Sequence, residues 1–476
     1  MISVPESICR FGIARADITP PVGIYHRMWG AARHDKSVGI HRPLLATAIA
    51  FADADASNGD VQVLLALDHC VLGEREIERV LAPLASQGPV SPAQVATICS
   101  HTHAAGLMLL DRESSPGGDG IAPYLDSLGE TVVKIVSQAL ADLQMVTMSF
   151  TSGRCNLAAH RDSWDEASQQ WVCGFHGEGD SDDTVLVGRV VNEQDKVVAS
   201  IVNYGCHPTT LAWDNQLVSP DFPGAMREVI EQQTEAPCVF IQGASGDLGP
   251  VRGFVGETEQ ADQNGRQLGY AALSSWESLP PAGKEYHYTG PVVSGATIGT
   301  WHHQPVAMER ESVLKHWSHS QIRLDVPYRK DIPTKEEVEA QRRQLLSEEE
   351  QAREAGDEEL AAVLRARVER MTRAQSRFAL LPPDSYPYDL VAWRFGEVIW
   401  LIVPGEPYQS FQVELRRRFP QQAIVVATIA GHWGPSYLPP KELYGTGVYQ
   451  ESIAVLEPGS LERVIDAAAE LIKGLL

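Results

Sequence analysis

The chain is short of basic residues: Lys and Arg number 39 against 62 Asp and Glu, for a formal charge of −23. Such an acidic surface repels phosphate backbones and anionic bilayers, so nucleic-acid binding would need a local basic patch, and none is visible. Long apolar stretches are missing too. No window reaches the roughly 18 uninterrupted apolar residues of a membrane span, and the opening MISVPESICRFGIARADITPP lacks the basic-then-apolar pattern of an export signal. These absences predict a cytoplasmic chain without a transmembrane segment. The seven cysteines (Cys9, Cys70, Cys99, Cys155, Cys173, Cys206 and Cys238) are odd in number and never spaced CxxC. Several lie in apolar runs, so they are expected to be reduced, buried thiols rather than disulfides or a zinc ribbon. No internal repeat of fixed period is found.

What is present is an ordinary globular composition, 43% hydrophobic and 21% charged, over 476 residues. That length predicts two domains, or one large domain with an appendage. Short β-branched runs (VQVLLALDHC, QVATICS, VTMSFTS, VVASIVNYGC, APCVFIQGA, PVVSGATIGT, LVAWRFGEVIWLIV, AIVVATIAG) read as strands. Helix-period segments such as EREIERVLAPLAS, FPGAMREVIEQQTE and SLERVIDAAAELIKGLL lie between them. The alternation predicts an α/β protein whose mixed sheet is covered by helices. Residues 334–376 differ, being rich in Glu, Arg, Gln and Ala behind a Thr334–Glu337 capping box. They predict a solvated helical-hairpin insertion, with lid or interface roles in second place and a homo-oligomer contact among these.

Functional side chains in α/β proteins gather at strand ends. There the sequence places Asp68, His69, His101, His103, His207, Asp247 and Glu406. In an extended segment, residues two apart share a face, so His101 and His103 of CSHTHAAGL could both reach one metal. A catalytic zinc needs about three N or O ligands, which this pair, His207 and Glu406 could supply. By itself, an HxH pair is equally compatible with hydrogen-bonded structural histidines. In Trp301-His302-His303 the two histidines are neighbours on opposite strand faces, which argues against a shared metal. Asp68 and Asp221 read either as carboxylates holding metal-bound imidazoles or as strand-end and helix-capping groups. Asp247 also fits a turn, and Ser245 fits local hydrogen bonding.

In order along the chain, GIARADITPP, GIHRPLLATAIAF, CSHTHAAG, NYGCHPTT, SPDFPG, GASGDLGP, VPGEPY and YLPPKELYGTGVYQ resemble the catalytic domain of the neutral, non-lysosomal ceramidase family and its shorter bacterial relatives. The resemblance implies one zinc hydrolase domain over residues 1–476, with the 334–376 insertion inside it, cleaving the amide of an N-acyl substrate. It makes His101, His207, Glu406 and Tyr437 the Zn²⁺ ligands. His103 then faces the substrate carbonyl, with Tyr449 and Arg161 as oxyanion donors or, for His103, a proton shuttle. Arg161 in NLAAHRD resembles the arginine of the family's NxNR loop, with two extra residues after Asn156. Gly249 stands where the family carries a serine, which leaves direct attack by zinc-bound hydroxide. With no export signal, and a chain that closes on a helix rather than a further domain, the expected substrate is smaller or more soluble than ceramide. An esterase or lactonase with the same site, and a non-catalytic family member, are the alternatives.

Overall fold

In the strand Leu45–Ala52, Ala46, Ala48 and Ala50 point one way and Ile49 and Phe51 the other, yet both sets are fully buried. A strand buried on both faces requires a packed layer on each side. The computed structural model, which describes residues 3–55, 61–432 and 434–476, shows two different layers. On the alanine side, small side chains let the helix Ile121–Ala141 lie close to the sheet, beside Glu74–Gln87. On the Phe51 side lies a second sheet, with Phe51 stacked on Phe395 at 4.8 Å between ring centroids and Trp400 at 5.3 Å. Burying such a ring contributes roughly 2 kcal/mol.

The main sheet has eight strands, in the order Cys238–Gln242, Val197–Tyr204, Thr184–Asn192, Gln144–Arg154, Glu6–Asp17, Leu45–Ala52, Val61–Leu67, Val95–Cys99. Its interior pairs are antiparallel, and the outermost pair at each end is parallel. The helices Phe222–Thr234 and Thr258–Glu277 cover the same outer face as the first two. The second sheet runs Trp317–Pro327, Ser385–Phe395, Val398–Ile402, Ala423–Ala427. Along Val398–Ile402 the pattern repeats: Trp400 faces the first sheet, while Ile399 and Leu401 face Phe411, Leu415 and the C-terminal helix Ser460–Leu475. The α/β class with helices over the sheets therefore holds, and the strand runs divide between two sheets packed face to face.

The main sheet curls until its edges meet. The edge strand Cys238–Gln242 contacts Val95–Cys99 at the other edge, and residues 428–431 bridge them. Thr428 N donates to Gln242 O at 2.9 Å and Gly431 N to Thr97 O at 2.8 Å, which seals both edges.

Two apolar runs fold back on themselves. LVAWRFGEVIWLIV reverses at Gly396, where φ is 55° and an added Cβ would lie 2.7 Å from the Glu6 and Leu314 carbonyl oxygens. PVVSGATIGT turns at Gly295, joining Lys284–Ser294 to Ala296–Pro305 in an exposed two-stranded ribbon. This ribbon carries Trp301, His302 and His303, none of which lines the cavity described below.

The charged segment forms two helices, Lys335–Glu354 and Glu358–Leu380. Thr334 and Glu337 cap the first reciprocally, at 2.8 and 3.2 Å. The outer face is solvated, as the charge pattern predicts, but the inner face is not. Leu345, Ala352, Ala361, Leu364 and Val368 form a small core. Buried Glu369 accepts both Arg112 guanidinium nitrogens, at 3.0 and 3.1 Å, and Arg373 Nε at 2.9 Å. Burial alone would raise the Glu369 pKa, but Arg373 and Arg112 hold it below the ordinary value. Glu369→Ala leaves buried Arg112 with only Asp111, 3.4 Å from its Nε, and is expected to cost about 3 kcal/mol. A lowered denaturant midpoint together with faster proteolysis inside residues 335–380 would report it, and an unchanged midpoint would show that this ion pair does not anchor the hairpin.

Candidate metal centre

The strand Val95–Cys99 ends before the HTH pair, so alternation along a strand does not set its geometry. His101 instead adopts a left-handed backbone, φ 69°, held by His101 N donating to His69 O at 2.8 Å. This turn aims its Nδ1–H at the Cys70 carbonyl, 2.8 Å away. His207 follows the strand Val197–Tyr204, and its Nδ1–H points at the Ser245 carbonyl at 2.7 Å. A carbonyl can only accept, so both imidazoles carry their proton on Nδ1 when neutral, leaving each Nε2 with a lone pair.

Those lone pairs converge on one carboxylate. Glu406 Oε2 lies 3.0 Å from His207 Nε2 and 3.3 Å from His101 Nε2. Glu406 is held in place by the parallel pairing of Glu406–Pro407 with Tyr437–Leu438, which also sets Tyr437 beside it. The Tyr437 hydroxyl is 3.4 Å from His207 Nε2 and accepts from Arg161 Nη2 at 3.0 Å. Arg161 also donates to Gly246 O at 2.7 Å.

Burial would raise the Glu406 pKa, but the two imidazoles hold it well below the ordinary carboxylate value. Burial, reinforced by Arg161, pushes His207 down to about 3. Burial also drives His103 well below the usual imidazole value, with His101 and His207 adding to it. Burial would lower His101, but Cys70 and Glu406 hold it well above the ordinary imidazole value, so the site holds a positive charge, a proton or a cation, between the nitrogens and the ionised carboxylate. The donor set thus fits a divalent metal, with the ligand atoms of His101, His207 and Glu406 within 4.8 Å of one another.

Cys70, His101 and His103 form a second cluster of ligand type. Cys70 Sγ, however, approaches His101 from its Nδ1 side, at 3.6 Å, and that nitrogen is already committed to a carbonyl. His103 Nε2 lies 3.5 Å from His101 Nε2, so it joins the same floor. Tyr449 reaches it from the side, with its ring 5.8 Å from that of Tyr437. The seven residues that the resemblance assigns to the site thus meet in one place. His101, His103, Arg161, Glu406, Tyr437 and Tyr449 line a cavity of about 630 Å³, and buried His207 lies just behind.

Other strand-end groups go elsewhere. Asp68 does not touch an imidazole; it forks onto Arg227 at 2.6 and 3.0 Å and accepts Leu45 N. Asp221 caps the helix Phe222–Thr234, accepting from Phe222 N at 2.6 Å and Leu211 N at 2.8 Å. The backbone carbonyls of Cys70 and Ser245 orient the metal-facing imidazoles instead. The Ser245 hydroxyl accepts from Gln242 Nε2. Asp247 holds the chain just past Glu406, accepting from Gln409 N and Nε2 at 2.7 Å each. Asn156 accepts from Gln267 at the surface, away from the cavity. A Cβ at Gly249 would sit at ordinary contact distance from Arg161 Cδ, 3.7 Å, and Thr209 Oγ1, 3.8 Å, so a side chain at this position would lie against the stem of Arg161.

Several cavity residues carry no sequence signal. Trp29 packs on His103 with ring centroids 5.1 Å apart and on Trp213 and Phe254 at 6.1 and 5.7 Å, forming an apolar wall. The second hairpin helix also lines the cavity, through Glu369, Arg370, Met371, Arg373 and Arg377. Scattered single aromatics and a charged helix look like any surface until folding turns them inward. Among the described residues, no helix is long and apolar enough to cross a membrane.

Comparison with known proteins places the fold and the family. Two solved structures share the fold: one described as ceramidase complexed with C2, at TM-score 0.64 and 16% identity over 98% of this chain and 75% of that one, and the neutral ceramidase of Pseudomonas aeruginosa, at TM-score 0.63 and 16% identity over 99% and 75%. In sequence, the chain is 24% identical to the neutral ceramidase of Pseudomonas aeruginosa over 282 residues, which are 55% of this chain. It thereby spans only 40% of that relative's length. The pattern of the family described as neutral/alkaline non-lysosomal ceramidase, N-terminal, matches residues 9–261. This match extends over more than half of the chain, which therefore belongs to the neutral/alkaline non-lysosomal ceramidase family.

Proposed function

We propose that this protein is a zinc-dependent hydrolase cleaving the amide bond of an N-acyl substrate. The observation that carries the reading is the meeting of His101, His207 and Glu406 at the cavity floor, both imidazoles turned by backbone carbonyls so that Nε2 faces the carboxylate. Nitrogen and oxygen donors in this number suit zinc, which when bound supplies Lewis acidity and lowers the pKa of a water toward about 7. His101, His207 and Glu406 would hold it, with Tyr437 beside them.

The remaining residues do the positioning and proton work. Arg161 is pinned by Gly246 O and the Tyr437 hydroxyl, so its charge stands ready where a carbonyl oxygen becomes an oxyanion. Tyr449 adds a hydroxyl donor at the cavity edge. Burial keeps His103 neutral near pH 7, so it can take a proton from the attacking water and return it to the departing amine nitrogen. Water and amide then yield a carboxylic acid and an amine. The Trp29, Trp213 and Phe254 wall suits the acyl chain.

A panel of N-acyl amides, esters and lactones, followed by mass spectrometry with wild type and Glu406→Ala in parallel, tests this. Amide turnover by the wild type alone is expected. Turnover that survives in Glu406→Ala would refute the assigned centre, and turnover confined to esters or lactones would reassign the substrate.

A further inference from the structure

The ribbon of Lys284–Ser294 and Ala296–Pro305 takes no part in the cavity and is built unlike the rest of the surface. Residues 286–305 contain no Asp, Glu, Lys or Arg, in a chain where these make up 21%. Tyr288, Val292, Val293, Ile298 and Trp301 stand exposed along it, Val293 at 83%. Among the described residues, neither strand pairs with a third. A two-stranded ribbon with both faces in water is marginally stable, and five such side chains leave about 500 Å² of apolar surface, the upper end for a monomer.

Its two outer edges differ. In Lys284–Ser294 the register slips between Tyr288 and Gly290, and Pro291 brings no N–H; a bulge and a proline are the devices that blunt an edge strand. Ala296–Pro305 has neither: its register is continuous, and proline comes only at its last position. That edge is an uninterrupted, uncharged row of backbone donors and acceptors.

The place of the ribbon says what meets this edge. Its root is tied to the end of the sheets away from the metal centre. Gly283 N donates to Glu6 Oε1 at 3.2 Å, and Arg310 bridges Glu285 and Glu397 at 2.6 and 2.8 Å. From Glu6 a strand runs to Asp17, which pairs with Leu45 beside Asp68, and from Glu397 the strand Val398–Ile402 runs toward Glu406. A lipid surface docked on the ribbon would thus lie at the opposite end from the cavity, and the charge of −23 would repel an anionic one. A second copy meets neither objection. An antiparallel strand edge is its own complement about a two-fold axis, and an uncharged ribbon joins two acidic bodies without setting like charges together.

We propose that the protein is a dimer in which Ala296–Pro305 pairs antiparallel with the same strand of a second copy, making one four-stranded sheet of two ribbons. Backbone pairing along this strand, with the side chains beside it, buries on the order of 800 Å² per partner, enough for a stable interface.

Sedimentation of the protein as purified, at about 10 µM, is expected to give twice the 52.0 kDa mass of the chain. Ile298→Lys, which sets ammonium groups against each other across the two-fold, should weaken the dimer by about 100-fold or more and leave a monomer. The replaced side chain is exposed, and circular dichroism checks that the body stays folded. Leu360→Lys, 48% exposed on the helical hairpin, should remain a dimer. Amide hydrogen exchange over residues 296–305 should be slow in wild type and fast in Ile298→Lys. A monomeric wild type would overturn the proposal, and its flotation with phosphatidylcholine vesicles would give the ribbon to a lipid surface instead. A dimer that survives Ile298→Lys would also overturn it, and one lost in Leu360→Lys would move the interface to the hairpin helices. A dimer with fast exchange across 296–305 would exclude strand pairing.

Discussion

His207→Ala protein is expected to purify without zinc and without turnover. His207 offers its Nε2 to the cluster from a ring whose other nitrogen is tied to the Ser245 carbonyl, so no neighbouring rotamer can substitute for it. Alanine removes one of the two nitrogen donors and leaves Glu406, 6% exposed, facing His101 alone. A hydrolase deprived of its Lewis acid loses several kcal/mol of transition-state stabilisation, a fall in kcat of about 10⁴ or more. Elemental analysis of chelator-free preparations measures the first part, with about one zinc per chain expected for the wild type and well under one for the variant. A His207→Ala protein that retains full zinc would place the metal elsewhere, and the cluster of Cys70, His101 and His103 would then be the site to test.

The second large effect separates binding the metal from using it. His103→Asn is expected to keep its zinc while kcat falls by about 10² to 10³, the usual effect of losing one well-placed oxyanion donor or proton carrier. The basis is positional. His103 shares the floor with His101 at 3.5 Å between their Nε2 atoms, but the carboxylate of Glu406 is taken by His101 and His207, and the His103 ring lies against Trp29 on the substrate side. Asparagine keeps a polar group but stops short of the Nε2 position, so the fold is preserved while the donor or proton carrier is lost. Loss of zinc in this variant would restore the symmetric reading of the HTH pair, in which both histidines are ligands.

Much of this site is legible in the amino-acid sequence. Polar residues ending apolar runs point to His101, His103, His207 and Glu406, because a strand delivers its last side chains to the rim of a sheet. The ordered motifs add Tyr437, Tyr449 and Arg161, and all seven meet. The inferences that fail depend on partners distant in sequence. Asp68 is an equal candidate for orienting an imidazole or for ending a strand, and it is consumed by Arg227, 159 residues away. The HTH rings do converge, but a left-handed His101 rather than strand alternation brings them together. The charge run of the hairpin describes its outer face correctly and says nothing of its inner one, where Glu369 and Arg377 are buried over the cavity.

From the sequence alone come the α/β class, the strand and helix segments, the donor types at the strand ends and the family pattern. Each is a local property: periodicity states which way a side chain points relative to its own element. Which donors would face each other is decided only by tertiary packing. His101 follows one edge strand of an eight-stranded sheet, and His207 follows the strand next to the opposite edge. In a flat sheet, with strands about 4.8 Å apart, they would lie nearly 30 Å from each other. The second sheet packs against Phe51 and its neighbours, the main sheet curls, residues 428–431 close its edges, and the two imidazoles meet over Glu406.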